Sequence, residues 1–375
     1  MNDVLRNGRP ILALAALLLT DCASAWTVRY IGQQILPDGY QYAHTTVGGL
    51  SGIDYDSANE RYFAISDDRS ERHAARFYSL KIDLAKFNTR ADPGHQGLSF
   101  TGMAVLRNEQ GQPYARRGVD PESIRLAPGA NRLYRADEGG AVDGVPPAVV
   151  EMDLAGGFRH SLPIPEHFLP THGRGVRDNL AFESLAVTPS GTRLIAATES
   201  ALIQDGPKAD ASQGSPCRVL VFDLDRRVAV AEYVYLTDPV PNPPSLPLLY
   251  QTNGLVEMLA LDEHGLLALE RSYALTVGND VRLYLVDLDS GTNVSDASDL
   301  REGRYQPLAK SLLINLKLLG IPVDNVEGMT WGPRLPNGNR SLILVSDDNF
   351  SHRQATRFLA FELLPSNAAE ARRSR

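Results

Sequence analysis

Residues 180–200 read LAFESLAVTPSGTRLIAATES: two apolar runs joined by the turn Pro189-Ser-Gly191, with Glu183 near the start of the first and Glu199 at the end of the second. Short apolar runs bounded by Pro, Gly and Asn turn residues are strands. An ionised carboxylate buried in such a strand carries a heavy desolvation cost unless it finds a partner or water. The same arrangement recurs along the chain, and its recurrence decides the fold.

Further turns fall at Asp56-Ser-Ala-Asn59, Pro128-Gly-Ala-Asn131, Asp262-Glu-His-Gly265 and Pro336-Asn-Gly-Asn339. Before the five turns lie Leu50-Ser-Gly-Ile53, Pro121-Glu-Ser-Ile124, Phe182-Glu-Ser-Leu185, Val256-Glu-Met-Leu259 and Val326-Glu-Gly-Met329. After them a second strand ends in acid at Asp67, Glu138, Glu199, Glu270 and Asp347, and a third ends in an acid followed by leucine at Asp83, Asp153, Asp223, Asp287 and Glu362. Residues 100–106, 229–236 and 305–309 supply fourth strands. A repeated four-stranded meander is the blade of a β-propeller, which buries both faces against its neighbours. The chain is therefore expected to be all-β, a propeller of four-stranded blades with five repeats counted and six possible. Residues 26–36 form a spare strand that completes the last blade and closes the ring. An irregular pair of β-sandwiches fits the strand signals alone, but not three columns repeated five times. Helical periodicity is visible only around residues 308–319.

The chain has 375 residues, 43% hydrophobic and 22% charged, with a formal net charge of −8. That composition gives a globular protein, and the acidic balance excludes a nucleic-acid surface. Arg6 and Arg9, the apolar run at 11–19 and Ala23-Ser-Ala25 read as a secretory signal peptide over 1–25, too short to span a membrane. A lipoprotein signal at Cys22 is the alternative, which Asp21 fits poorly. One propeller domain over 26–365 and a disordered tail at 366–375 follow, in a periplasmic or extracellular protein expected to be monomeric. Cleavage leaves Cys217 as the one cysteine, so no disulfide supports the core.

Ser51, Glu122, Glu183, Glu257 and Glu327 form one column on the strands nearest the axis; Asp67, Glu138, Glu199, Glu270 and Asp347 form a second, with acidic neighbours at Asp68, Asp137 and Asp348. Converging carboxylates at 4 Å repel by about 1 to 4 kcal/mol per pair at water-like to surface-like dielectric. They must hold protons, pair with arginine and amides, or bind a cation. Oxygen donors without histidine or thiolate clusters suit Ca2+ first. Pairing within each blade, with arginines such as Arg218, Arg282 and Arg357, is the purely structural alternative. The histidines lack metal-ligand spacing, though His73 and His352 follow second strands closely. No nucleophile elbow and no glycine-rich phosphate loop is present.

Asp120-Pro-Glu-Ser-Ile124 with Ala136-Asp-Glu-Gly139, Arg177-Asp-Asn-Leu-Ala-Phe-Glu-Ser-Leu-Ala186, and Asn325-Val-Glu-Gly-Met329 with Ser346-Asp-Asp-Asn349 resemble the phytase-like β-propeller family, the esterase-like activity of phytase domain. The resemblance runs over about 48–364. It implies metal-dependent hydrolysis of a small-molecule phosphate ester, with Glu122, Glu183, Glu257 and Glu327 as catalytic residues. Asp67, Asp137, Glu138, Glu199, Glu270, Asp347 and Asp348 are the candidate metal ligands, all but Asp67 matching acids that the resemblance implies; the first blade departs from the family pattern. Arg69, Arg174, Arg177, Asn179 and Arg271 are the candidates for phosphate contacts, since a guanidinium binds phosphate at two points. Ser51 leaves one side of the first column open. A non-catalytic propeller that binds a ligand or partner around a structural cation is the main alternative, and a sugar-lactone hydrolase a third.

Overall fold

The computed structural model describes residues 26–366 apart from 128, 130, 131 and 247, so the expected leader and all but the first residue of the expected tail lie outside the described residues. Among these, the strands form five four-stranded antiparallel sheets and one two-stranded pair. Blade 1 comprises Leu50–Asp56, Arg61–Ser66, Arg76–Ile82 and Leu98–Val105; blade 2 comprises Pro121–Leu126, Arg132–Asp137, Ala148–Asp153 and Phe158–Leu162. Blade 3 comprises Phe182–Val187, Arg193–Thr198, Pro216–Asp223 and Val228–Leu236; blade 4 comprises Gln251–Ala260, Gly265–Ala274, Gly278–Asp287 and Ala309–Asn315. Blade 5 takes Asn325–Arg334, Arg340–Asp347 and Arg357–Pro365 from the C-terminal end and Trp26–Ile35 as its outermost strand. The protein is an all-β, five-bladed propeller, closed by the N-terminal strand in a register from Trp26 opposite Pro365 to Ile35 opposite Arg357.

Successive side chains of a strand point to opposite faces, and here both faces are covered. In blade 3, Leu194 and Ala196 enter the core shared with blade 2, while Ile195 and Ala197 enter the core shared with blade 4. Tyr62 and Ala64 of blade 1 pack towards blade 5, and Phe63 and Ile65 towards blade 2. Blades 4 and 5 share the remaining interface. Each interface therefore has its own apolar core, and burying a Leu, Ile or Phe contributes about 1.5–3 kcal/mol.

The expected helical stretch at 308–319 is instead the outer strand of blade 4 followed by a 3₁₀ turn at Leu316–Leu319. A register shift opposite Leu283 and Tyr284 takes Leu313 out of the alternation, so the apolar spacing imitates a helix on what is a half-exposed edge. The fourth strand expected at 305–309 accordingly lies further along.

The first strands of neighbouring blades pack around the axis, where Arg125 is buried. Its Nη1 donates to the carbonyls of Ile53 and Ile124, and its Nη2 to those of Met258 and Met329. Nη2 also pairs at 2.7 Å with Glu257, which accepts from Ser123 Oγ and the backbone N–H groups of Leu185 and Met258. Together the pair reaches all five blades. Removing one member of a buried ion pair costs about 3–5 kcal/mol, because the other charge is left uncompensated. Arg125→Ala is expected to lose that much in urea denaturation; a loss under about 1 kcal/mol would show that the pair does not hold the ring.

Candidate functional site

The start of each first strand and the end of each second strand meet at one mouth of the ring. The first strand carries a β-bulge whose extra residue is Ser51, Glu122, Glu183 and Glu327 in blades 1, 2, 3 and 5. Bulges re-aim side chains, and these three glutamates line a cavity of about 550 Å³ with Asp67, Asp120 and Asp347. In blade 4 the bulged residue is Val256, which packs into the core shared with blade 5. The column therefore slips by one there: Glu257 takes the place of Ser123 and Ser184 and reaches Arg125 instead of the mouth.

The second column slips likewise. Glu270 pairs with Leu255, as Asp137 pairs with Pro121 and Thr198 with Phe182, so the residue aligned with Asp67, Glu138, Glu199 and Asp347 is Arg271. Glu270 is held away from the cavity by Tyr235 Oη at 2.7 Å, Asp238 N–H at 3.0 Å, Asn253 Nδ2 at 2.7 Å and Lys310. Arg271 lines the cavity and places Nη2 2.9 Å from Glu327 and 3.6 Å from Glu199. The ring thus contains its own cation, on the blade where two carboxylates were expected.

The other expected residues divide clearly. Arg69 and Asn179 line the cavity, hydrogen-bonded to each other, and Arg69 pairs with Asp120 at 2.6 Å. Asp137 points into a separate pocket, paired with Arg135. Asp348 caps loop N–H groups of Gly49 and Phe350, both at 3.0 Å. Arg174 bonds the Ser298 carbonyl, and Arg177 those of Ala201 and Gly206, in loops outside the cavity lining. His73 accepts from Thr46 N–H and His352 meets Asp38; neither lines the cavity. Asp120 and Asn325 were missed. Each lies two residues before a column glutamate, the spacing that returns a strand to one face, and that was their signal. Asn325 Nδ2 donates to Glu327 at 2.9 Å and Asp347 at 3.1 Å.

Two acidic triads stand out. Asp120, Glu122 and Glu138 each bring an oxygen within 4.8 Å of the others, and so do Glu138, Glu183 and Glu199. Glu138 belongs to both. One of its oxygens accepts from Ala181 N–H; the other, Oε2, is buried without a hydrogen-bond partner. Glycine makes room for this density: a Cβ at Gly254 would collide with the Glu199 carboxylate, and one at Gly49, where φ is +60°, with Asp67.

Such a chamber resists full ionisation. Carboxylates 4.8 Å apart repel by about 1 kcal/mol in water and about 3.5 kcal/mol at an effective dielectric of 20. Burial, with neighbouring charges adding to it, lifts Glu122, Glu138 and Glu183 well above the usual carboxylate range. Burial does the same to Asp67 and Asp347, with the charges of Asp347 and Glu327 respectively next in effect. Burial pushes Asp120 and Glu199 up to about 7, against the pull of Arg69 and Arg271. An all-oxygen set with an orphaned, buried Glu138 oxygen fits a hard divalent cation.

These carboxyls bind protons more tightly in the folded than in the unfolded chain. Between an unfolded pKa near 4 and folded values near 7 the folded state holds more protons, so stability falls as pH rises through that window. The melting temperature of chelator-treated protein is expected to drop by several degrees from pH 5 to pH 8. Millimolar divalent cation should restore it at pH 8. A flat profile would mean that partners within the chain already satisfy the ring.

The family model for the esterase-like activity of phytase matches residues 45–350. No curated protein matches the chain. Among solved structures, that of the Dos1 propeller is similar over 84% of this chain and 68% of its own length, at 7% identity and a TM-score of 0.35. The fold rests on the blades themselves, and the family on the match across the acidic ring: the protein belongs to the phytase-like family, esterase-like activity of phytase.

Proposed function

We propose that the protein is an exported, monomeric, calcium-dependent phosphoesterase that hydrolyses a small-molecule phosphate ester in the acidic cavity. Family membership supports a phosphoesterase-like role. The observation that carries the reading is Glu138, which belongs to both acidic triads and keeps one buried oxygen without a hydrogen-bond partner, beside a cavity lined by Arg69 and Arg271. The acid excess supports cation dependence, because an anionic ester entering an ion-free cavity would be repelled. The leader-like N-terminus supports export to the periplasm or beyond. No helix among the described residues is long and apolar enough to cross a membrane.

Asp120, Glu122, Glu138, Glu183 and Glu199 would hold the ions. Bound calcium supplies charge neutralisation and polarises the ester. Arg271, whose Nε is buried without a hydrogen-bond partner, and Arg69 offer planar forks to the phosphate oxygens. Asp67, whose carboxyl burial raises well above the usual carboxylate range, lines the cavity and is the proposed proton donor to the leaving oxygen. Glu257 has no place in this chemistry, since its carboxylate serves Arg125.

A second reading is a non-catalytic ligand-binding propeller with a structural cation. Arg271 favours it, because its lock between Glu199 and Glu327 is a structural neutralisation already in place. Turnover of chromogenic phosphate mono- and diesters, with calcium and with chelator, separates the two. Calcium-stimulated turnover is expected, falling about 100-fold or more in Glu138→Gln and Glu183→Gln. Glu257→Gln should lower the melting temperature while preserving turnover per folded molecule. Thermal stabilisation by calcium without turnover of any ester would sink the hydrolase and favour the binder. Lactone turnover alone would assign the cavity to that chemistry.

A further inference from the structure

Blade 4 is taller than its neighbours at the mouth. Its first strand starts at Gln251, five residues before its bulge at Val256, where that of blade 5 starts two residues before Glu327 and those of blades 2 and 3 one residue before Glu122 and Glu183. The added pairing runs from Gly254 opposite Arg271 up to Gln251 opposite Ala274, and Leu275 N–H continues it to the Tyr250 carbonyl at 2.9 Å. Above the ring this hairpin and the described residues of the preceding segment, 239–246, 248 and 249, form a wall. Five of the ten exposed large apolar side chains among the described residues stand on it: Leu246, Leu248, Tyr250, Leu275 and Val277, with Leu248 fully exposed. That concentration differs from the scattered apolar exposure of an ordinary surface.

The wall is continuous with the cavity. Tyr250 and Tyr273 line the cavity itself, their ring centroids 6.2 Å apart. Other parts of the mouth are polar, with Asn179, Asn349, Ser351 and Arg353. The start of the segment that leads into the wall is tied to its surroundings. Pro239, Pro241, Pro243 and Pro244 restrict its backbone, Val240 N–H bonds the Asp210 carbonyl at 2.8 Å, and Asn242 Nδ2 bonds Asp280 at 2.7 Å.

We propose that the substrate is amphiphilic: a phosphate ester whose head enters the acid-and-arginine cavity and whose apolar substituent lies along the blade 4 wall. The head-group assignment rests on the phosphoesterase reading, whereas the wall is a separate observation. Methylphosphonate and hexylphosphonate carry a carbon–phosphorus bond with no ester to hydrolyse, so calorimetry with the calcium-loaded protein reads binding alone. Hexylphosphonate is expected to bind about tenfold tighter or more, from partial burial of its added methylenes. In the triple variant Leu246→Ser, Leu248→Ser, Leu275→Ser that ratio should fall below about twofold with methylphosphonate unchanged. Equal affinities in the wild type, a ratio that survives in the variant, or no binding of either ligand would overturn the proposal. Turnover of methyl and hexyl phosphate in parallel keeps the two readings apart: turnover with flat binding overturns the amphiphile alone, and a hexyl preference without turnover overturns hydrolysis alone. Flat binding together with a concentration-dependent dimer, or with sedimentation on phosphatidylcholine vesicles, would assign the wall to a second copy or a bilayer and overturn the proposal.

Discussion

Arg125 and Glu257 meet on the propeller axis at 2.7 Å, almost wholly buried, and the geometry of the mouth depends on that meeting. Taking two charges out of water costs several kcal/mol per ion, and the blades offset it with partners for both Nη groups of Arg125 and for the Glu257 carboxylate, leaving only Arg125 Nε unpaired. The carbonyls of Ile53, Ile124, Met258 and Met329 and the N–H of Leu185 come from all five. The pair also plugs the axis with charge and packed backbone. What would have been an open channel is a cup, with the acidic ring above a closed floor.

Above that floor the ring is asymmetric, and blade 4 makes it so. Val256 withdraws one carboxylate position into the blade 4–5 core, and Arg271 converts another from anion to cation. The acids are left concentrated around blades 2 and 3, where Glu138 joins the two triads, while blade 4 contributes the guanidinium, two tyrosines and an apolar wall. Fivefold architecture thus delivers an acidic side and a side of guanidinium and tyrosines to one small cavity. The symmetry sets the distances, and the departures from it set the chemistry.

Much of this was legible in the chain. The three columns, the meander and the closing strand were readable because turns punctuate each blade and the acids recur at fixed places within it. Register in blade 4 was not. In Leu255-Val-Glu-Met258 every apolar residue is buried on one face or the other, so alternation of hydrophobicity gives no sign of which residue bulges. Glu257 and Glu270 were consequently placed one position out, and Arg271 was read as a neighbour of the ring when it is a member. Asp137 and Asp348 failed for a related reason: adjacency in sequence puts a side chain on the opposite face of a strand or into the following loop. The tyrosines of the wall lie in a blade-specific extension with no counterpart to align, and a repeat cannot announce what it does not repeat.

The closing strand ties the order of events in folding to the order of synthesis. Trp26 pairs with Pro365, so the first strand of the described chain completes its blade only with the last. Four blades are built from contiguous residues, so the strand pairing of each is local to its own meander. The fifth must wait for both ends, and until then the third strand of that blade presents an unpaired edge of backbone donors and acceptors. That closure joins the most distant parts of the described chain, so it carries the largest loop-closure entropy of any strand pairing in the ring. The axial pin requires Met329 from the same late blade, and so the floor of the cup, the cavity above it and any ion it holds come into being together, at the end.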